Sequence, residues 1–328
     1  MALLKVNNAE GIKQAIEHLS NGEVVALPTE TVYGLAGSAL NGEAIAKIYE
    51  AKGRPSFNPL IVHVPDIETA RKYGDFSGQA LTLASLFWPG PLTIIVKQVK
   101  ACAIHKLATA GLDTIALRVP AHPDMRAVLK GSNLPLAAPS ANASGGLSPT
   151  SPKHVLRSLS GKIPMVLAGG GCDVGLESSV IDMSSGSPTL LRPGAITKDQ
   201  LSQALGCDVA EGFEETKNPK SPGLLMKHYA PSIPIRLKAI DVKEGEALLA
   251  FGSDKFMGIA GGGFAKNLPV GRYQNLSPSG DLSEAAANLF GMLHALDKPE
   301  NKGIAVMDIP DEGLGVAINN RLKRAVSK

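Results

Sequence analysis

The sequence predicts an α/β protein of two domains: a twisted mixed sheet with helices on its outside, then a smaller α/β domain of parallel-sheet type. Three observations carry this expectation. Strand-like runs crowd the first two thirds of the chain and helices interrupt them irregularly, which suits a mixed sheet better than an alternating βαβ series. The stretch Glu211 to Pro222 is polar, charged and Pro-containing, as linkers are. Beyond Pro234 short apolar strands alternate with long amphipathic helices. With 328 residues the chain is too long for one ordinary domain and suits two. The expected boundaries are 1–206 for the first domain, 207–232 for a linker and 233–328 for the second.

The elements follow in order. Met1 to Glu23 reads as an amphipathic helix, with Ile12, Ala15, Ile16 and Leu19 on one face and Asn21-Gly22 closing it. Val24 to Leu27 is a short buried strand, Ala44 to Ala51 a helix and Leu60 to Val64 a strand. Thr69 to Phe87 is largely helical, with a break at Gly74 to Gly78. Branched residues mark strands at Leu92 to Val96, Thr114 to Val119 and Leu134 to Ala138. Pro123 to Lys130 and Pro152 to Leu159 are helices, each with Pro in its first turn. Met165 to Ala168, Ser179 to Met183 and Thr189 to Arg192 are strands, and Thr197 to Leu205 is a helix. In the second domain, strands fall at Ile235 to Leu237, Ala247 to Phe251, Met257 to Ala260 and Ile304 to Ile309. Asp281 to Leu296 is a helix opened by a capping box of Asp281 and Glu284, and Leu314 to Val326 is the last helix.

Composition narrows the classes. Hydrophobic residues are 44% and charged ones 19%, enough for a real core. Aromatics are 4%, which argues against stacking platforms for single-stranded nucleic acid. A net charge of +3 demands no polyanionic partner, and a local phosphate site would satisfy it. Three scattered cysteines without C-x-x-C support neither a zinc knuckle nor a disulfide framework. No signal-like start and no bilayer-length apolar run lead us to expect a cytoplasmic protein with no membrane partner. The sequon Asn142-Ala143-Ser144 is then idle.

The chemistry is sought first at Lys52-Gly53-Arg54. In an extended segment residues i and i+2 share a side, so two cations would converge there, and Gly53 would leave room for a ligand. A guanidinium fork and an ammonium together suit a polyphosphate. Taken alone, the pair reads as an exposed basic stub after the preceding helix, and only its surroundings reverse that reading. Ser140 and Asn142 follow a strand and could be ligand contacts or a plain turn. The seven histidines show no pair at ligand spacing, so no protein metal site is expected. The runs Gly169 to Gly171 and Gly261 to Gly263 lack a P-loop or dinucleotide pattern and read as turns.

An ordered series surrounds these residues. It runs Pro28-Thr29-Glu30-Thr31-Val32-Tyr33-Gly34-Leu35, Lys52-Gly53-Arg54-Pro55, Phe87-Trp88-Pro89-Gly90-Pro91 and Arg118-Val119-Pro120-Ala121-His122-Pro123. It continues with Ala138-Pro139-Ser140-Ala141-Asn142, Ser148-Pro149-Thr150, Glu177-Ser178-Ser179-Val180 and Leu191-Arg192-Pro193-Gly194. Ser221-Pro222-Gly223, His228-Tyr229-Ala230-Pro231 and Asn320-Arg321-Leu322-Lys323-Arg324 complete it. The series resembles the YrdC-like family, in the two-domain type of L-threonylcarbamoyladenylate synthase. Departures are small: Leu224 to Lys227 is more apolar than expected, and Ser179 stands where Thr is common.

The resemblance implies a YrdC-like fold with a concave basic cleft and a small Rossmann-like second domain. It implies a reaction of L-threonine, bicarbonate and ATP giving threonylcarbamoyl-AMP and pyrophosphate. A partner transferase would then modify a tRNA adenosine; whether this chain touches tRNA is left open. By resemblance, Lys52 and Arg54 act on the polyphosphate, with Asn58, Thr114, Ser140, Asn142, Ser148, Arg192 and Tyr229 also on ATP. Arg118 grips the threonine carboxylate, and Thr31, His63 and Ser179 complete its pocket. His63 is given a binding role and no general-base role. Mg²⁺ is expected to arrive on ATP, with Glu30 and Glu177 the possible outer groups. A linker folding over the cleft would keep water from the mixed anhydride, with Tyr229 as its contact on ATP. Two other classes compete: an RNA-binding module, and a carbamoyl-transfer domain using carbamoyl phosphate.

Overall fold

The computed structural model describes residues 3–55, 57–213, 228–253, 258–259 and 268–326, in two compact units. Among the described residues the first unit takes those up to 144, then 149–173 and 177–213; the second takes 145–148, 174–176 and 228–326.

The strands of the first unit are β1 (Leu3–Val6), β2 (Val25–Leu27), β3 (Gly34–Ser38), β4 (Ile61–His63), β5 (Leu92–Lys97), β6 (Thr114–Arg118), β7 (Leu136–Ala137), β8 (Met165–Ala168), β9 (Ser179–Asp182), β10 (Thr189–Arg192) and β11 (Ala210–Glu211). They form one eleven-stranded sheet in the order β1-β8-β2-β3-β7-β4-β6-β5-β9-β10-β11. Parallel pairs such as β4 with β6 occur beside antiparallel ones such as β5 with β6, so the sheet is mixed, as expected.

Its helices are α1 (Ala9–Ser20), α2 (Gly42–Lys52), α3 (Ile67–Ala70), α4 (Gly78–Phe87), α5 (Lys106–Thr109), α6 (Pro123–Ser132), α7 (Pro152–Leu159) and α8 (Lys198–Leu205). Helix starts obey local chemistry. The side chain of Asn8 caps α1 and that of Asn41 caps α2. Pro opens α6 and α7, and Thr197 with Gln200 forms a capping box on α8. The sheet is buried on both faces, and the period-2 alternation of strands sorts the side chains between two cores. Val25 and Leu27 join Leu19, Met125 and Leu129 on one face. Ala26, between them, joins Leu35, Ile48, Val62 and Ile94 on the other.

Three expectations change. The chain does not begin as one helix: residues 3–6 pair with β8 as a parallel edge strand, and α1 starts at Ala9. The strand β3, Gly-Leu-Ala-Gly-Ser, went unread because it lacks branched residues. The break expected at Gly74 to Gly78 is present and wider, since α3 ends at Ala70 and α4 begins at Gly78; there Gly74 bridges Gln98, and a Cβ on it would come within 2.4 Å of Val96. The first unit also runs past residue 206, since Val209 is buried and β11 pairs with β10. Ser221-Pro222-Gly223, Leu224 to Lys227 and the Gly261 to Gly263 run lie outside the described residues.

The second unit contains β12 (Ile235–Arg236), β13 (Asp241–Val242), β14 (Glu246–Ala250), β15 (Gly258–Ile259), β16 (Tyr273–Asn275) and β17 (Gly303–Val306). Four of them form an all-parallel sheet, β12-β17-β14-β16, and β13 pairs with β15 apart from it. Helix α9 (Leu282–Leu296) packs on β14 and β16, and α10 (Leu314–Val326) on α9 and β12. Asp281 caps α9 by accepting from the Glu284 N–H at 2.7 Å. The reciprocal half of the expected capping box is absent, because the Glu284 carboxylate takes the Ser277 hydroxyl instead. That hydroxyl also accepts the Asp281 N–H at 2.9 Å. Ser277 is fully buried. Ser277→Ala should therefore lower stability by about 1–3 kcal/mol, read as a fall in the urea midpoint.

Candidate active site

Lys52 is the last residue of α2, and Gly53 ends the helix in the left-handed conformation (φ 59°, ψ 38°). The extended i, i+2 geometry expected for Lys52 and Arg54 is thus wrong: a helix C-cap separates them. Gly53 is needed for its positive φ and not for space, since a Cβ there would meet nothing within 4 Å. The turn still brings both cations into one neighbourhood. The Lys52 ammonium donates to the carbonyls of Ser140 and Asn142, each at 2.5 Å, and its own carbonyl receives the Ser144 N–H at 2.8 Å. Lysine has three donors, so one remains for a ligand. Burial, and next the Arg54 charge, hold the Lys52 pKa well below the ordinary lysine value.

Arg54 is buried as well and donates to the Pro59 carbonyl at 3.2 Å. Beside it, Asn58 is fully buried, and its side-chain oxygen and nitrogen have no partner among the described residues. A buried amide left this way marks a place where a ligand or water would complete the bonding.

A second knot forms at Arg118, the last residue of β6. Its Nη2 donates to Glu30 Oε1 at 2.6 Å, Nη1 to Thr31 Oγ1 at 3.0 Å and Nε to the Gly90 carbonyl at 3.1 Å. The other Glu30 oxygen accepts the Ala121 N–H at 3.1 Å. Thr29 shapes this loop: its hydroxyl donates to the Val32 carbonyl at 2.6 Å and accepts the Thr31 and Val32 N–H groups. His63 ends β4 directly opposite Arg118. Burial raises the Glu30 pKa, but the Arg118 charge and the hydrogen bonds outweigh it, and the net direction is down.

The two knots adjoin. The Tyr33 carbonyl accepts the Ala141 N–H at 2.7 Å and the Pro139 carbonyl accepts the Leu35 N–H at 2.7 Å. The loop carrying Glu30 and Thr31 is thereby pinned to the loop carrying Ser140 and Asn142. Gly90-Pro91 ties in the next pair of strands, its Pro91 carbonyl taking the Ser179 N–H at 3.0 Å.

The remaining expected residues are placed less simply. The Ser179 hydroxyl is engaged by the backbone of Ile196, donating at 2.6 Å and accepting at 3.0 Å, so it latches β9 to the turn after β10. Arg192 donates to the Ser178 carbonyl and hydroxyl, each at 3.0 Å. Thr114 stands at the start of β6, four residues from Arg118 and so roughly 13 Å along the strand. Ser148 and Tyr229 belong to the second unit. There the Ser148 carbonyl meets His294 Nε2 at 3.1 Å, while Ser151 and not Ser148 caps α7. Tyr229 is fully buried with φ 65°, packed against His228 and Phe290, with the Arg321 guanidinium 5.7 Å from its ring.

Sequence reasoning placed Glu30 only as an outer group of a metal. The signal available was its position two residues after Pro28 in the same turn as Thr31. Gly169 to Gly171, expected as a turn, are irregular backbone after β8, where the Tyr33 hydroxyl donates to the Gly170 carbonyl and accepts the Gly169 N–H.

The large mixed sheet with buried cations at its loops, followed in sequence by a small parallel-sheet unit, defines the class: a two-domain α/β protein with a YrdC-like first domain. Residues 17–194 match the family model named for Sua5, YciO and YrdC and described as "Telomere recombination". Residues 196–327 match "Threonylcarbamoyl-AMP synthase, C-terminal domain". The chain belongs to the Sua5–YciO–YrdC family, in its two-domain form. Threonylcarbamoyl-AMP synthase of Bacillus subtilis is 40% identical over 333 residues, which cover 97% of this chain and 93% of that protein. The protein of that name from Pyrococcus abyssi is 36% identical over 324 residues, 96% of this chain and 93% of its own. The crystal structure of P. abyssi Sua5 complexed with L-threonine matches with a TM-score of 0.86 at 32% identity, covering 99% of this chain and 97% of that one.

The His63 imidazole is pushed down to about 3, by burial first and then by the Arg118 charge. It is neutral at physiological pH. A base with a depressed native pKa binds more protons unfolded, so its contribution is complete above 6.5 and is lost as pH falls from 6.5 towards 3. His63→Gln should flatten the stability–pH curve between about 6.5 and 4.5, measured by urea unfolding at each pH. The further loss below 4.5, where Glu30 protonates, should persist.

Proposed function

We propose that this protein is a threonylcarbamoyl-AMP synthase, forming L-threonylcarbamoyl-AMP and pyrophosphate from L-threonine, bicarbonate and ATP. The observation that carries the reading is the cradle of Lys52, Arg54 and Asn58: two buried cations and an unsatisfied amide gathered around one turn. A polyphosphate would supply the charge and acceptors that this arrangement calls for.

The chemistry has two stages. The threonine amine combines with bicarbonate to give a carbamate, releasing water. A carbamate oxygen then bonds to the α-phosphorus of ATP as the bond to pyrophosphate breaks. Both reactants are anions, so the obstacle is bringing them together, and fixed cations in a dry site lower it. Lys52 and Arg54 are assigned to the polyphosphate, with Asn58, Ser140 and Asn142 beside them. The carbonyls of Ser140 and Asn142 serve by aiming the ammonium, and both residues are assigned to the nucleotide beside it. Arg118 is assigned to the threonine carboxylate, with one N–H on each terminal nitrogen to offer it. Thr31 and neutral His63 flank it, and Ser179 shapes the pocket through Ile196. Arg192 is assigned to the nucleotide together with Ser178.

Magnesium would enter on ATP, offsetting phosphate charge. Among the described residues there is no group of three or more His, Cys, Asp or Glu suited to a metal, so phosphate oxygens and water would supply its ligands. The product would pass to a transferase that modifies a tRNA adenosine. Among the described residues no helix is long and apolar enough to cross a membrane.

Pyrophosphate release from ATP is the test, with threonine and bicarbonate each omitted in turn. Release should require both; release without threonine would point instead to carbamoyl transfer, and the proposal would fail. Lys52→Ala should cut the threonine-dependent rate by about 10²–10³-fold. Wild-type ATP affinity should also fall as pH rises, beginning below the usual lysine range, because Lys52 loses its proton early. Titration calorimetry across pH, with Lys52→Ala as the flat control, checks this.

A further inference from the structure

We propose that Glu30 is a positioning and selectivity residue for the amino-acid substrate, acting through Arg118. The proposal rests on the assignment of Arg118 to the threonine carboxylate.

A guanidinium on a long side chain has many orientations, and only one presents its fork to a given carboxylate. Here the plane is fixed at three points: Gly90 on Nε, Thr31 on Nη1 and Glu30 on Nη2. Glu30 is the charged member of the three. It is itself fixed, because its second oxygen holds the Ala121 N–H. Both side chains of the ion pair are almost wholly buried, at 4% and 10% exposed. The geometry therefore does not depend on solvent, and it leaves one N–H on each terminal nitrogen facing away from the bonds described.

Charge gives Glu30 a second effect. A lone buried arginine attracts any small carboxylate that fits. A paired one sits in a site close to neutral, which suits a zwitterion, whose carboxylate meets the guanidinium and whose ammonium senses the nearby carboxylate. The pair should thus favour α-amino acids over the corresponding acids without an amine. The neutral His63 opposite Arg118 adds no charge to upset this balance.

The experiment is calorimetric binding of L-threonine, of 3-hydroxybutanoate (threonine without its amine) and of ATP to the full chain. Glu30→Gln keeps shape and an acceptor but removes the charge. It should shift the threonine-to-3-hydroxybutanoate affinity ratio about tenfold towards 3-hydroxybutanoate. Glu30→Ala removes the anchor too, and should weaken threonine about tenfold or more while ATP affinity stays within twofold. An unchanged ratio in Glu30→Gln, or equal weakening of threonine and ATP in Glu30→Ala, would overturn the proposal. Wild-type protein that binds no threonine would instead remove the assignment of Arg118 on which it stands.

Discussion

An ammonium group buried on backbone carbonyls is the constraint around which the first domain is arranged. Among the described residues Lys52 has no carboxylate partner to meet its charge; it relies on two peptide oxygens, from Ser140 and Asn142. For those oxygens to converge, the chain after β7 must turn just there, α2 must end at Gly53, and the Ser144 N–H must close on the Lys52 carbonyl. Burial makes the charge costly, and Arg54 makes it costlier. Such an arrangement persists because the surrounding sheet, packed on both faces, fixes the loops. The Arg118 knot is the opposite solution to the same problem. There a buried cation is met directly by a carboxylate, and the charge is balanced before any ligand arrives.

Much of the architecture was readable because local signals and packing agreed. β5 and β6 are runs of branched residues, and Pro marks the first turns of α6 and α7. What was unreadable is set by neighbours far along the chain. β3 is poor in strand formers, and its glycines sit at close approaches: a Cβ on Gly34 would lie 3.2 Å from the Ala138 Cβ, and one on Gly37 3.2 Å from Ile48. β1 is a strand only because β8 offers it an edge. A short segment with a lysine in it carries no such information by itself.

The site divides in the same way. Its residue types and order stood out as an ordered series, Lys52-Gly53-Arg54, Arg118-Val119-Pro120 and Ser140-Ala141-Asn142 among them, though each piece alone is common. Their geometry did not. The Lys52 and Arg54 relation came from a helix cap where an extended segment was expected, and the Lys52 cradle is made of carbonyls, which every residue possesses and no sequence pattern reveals. Ser179 shows the limit from the other side: its hydroxyl was expected at the amino-acid pocket, and the bonds it makes are to Ile196 within the fold. Glu30 was visible as a residue and invisible as a partner, because Arg118 lies 88 positions away.

Tyr33 sits between two loops and joins them through its main chain. Its N–H donates to the Pro149 carbonyl at 2.8 Å and its carbonyl accepts the Ala141 N–H at 2.7 Å. The segment bearing Glu30 and Thr31 and the segment bearing Ser140 and Asn142 are consequently riveted peptide to peptide. Exchanging the side chain at position 33 for any but proline, which has no N–H, leaves both rivets in place. The spacing between the two halves of the site is therefore a property of the backbone, open to revision by insertions, deletions and proline, and insensitive to other side-chain exchanges at position 33.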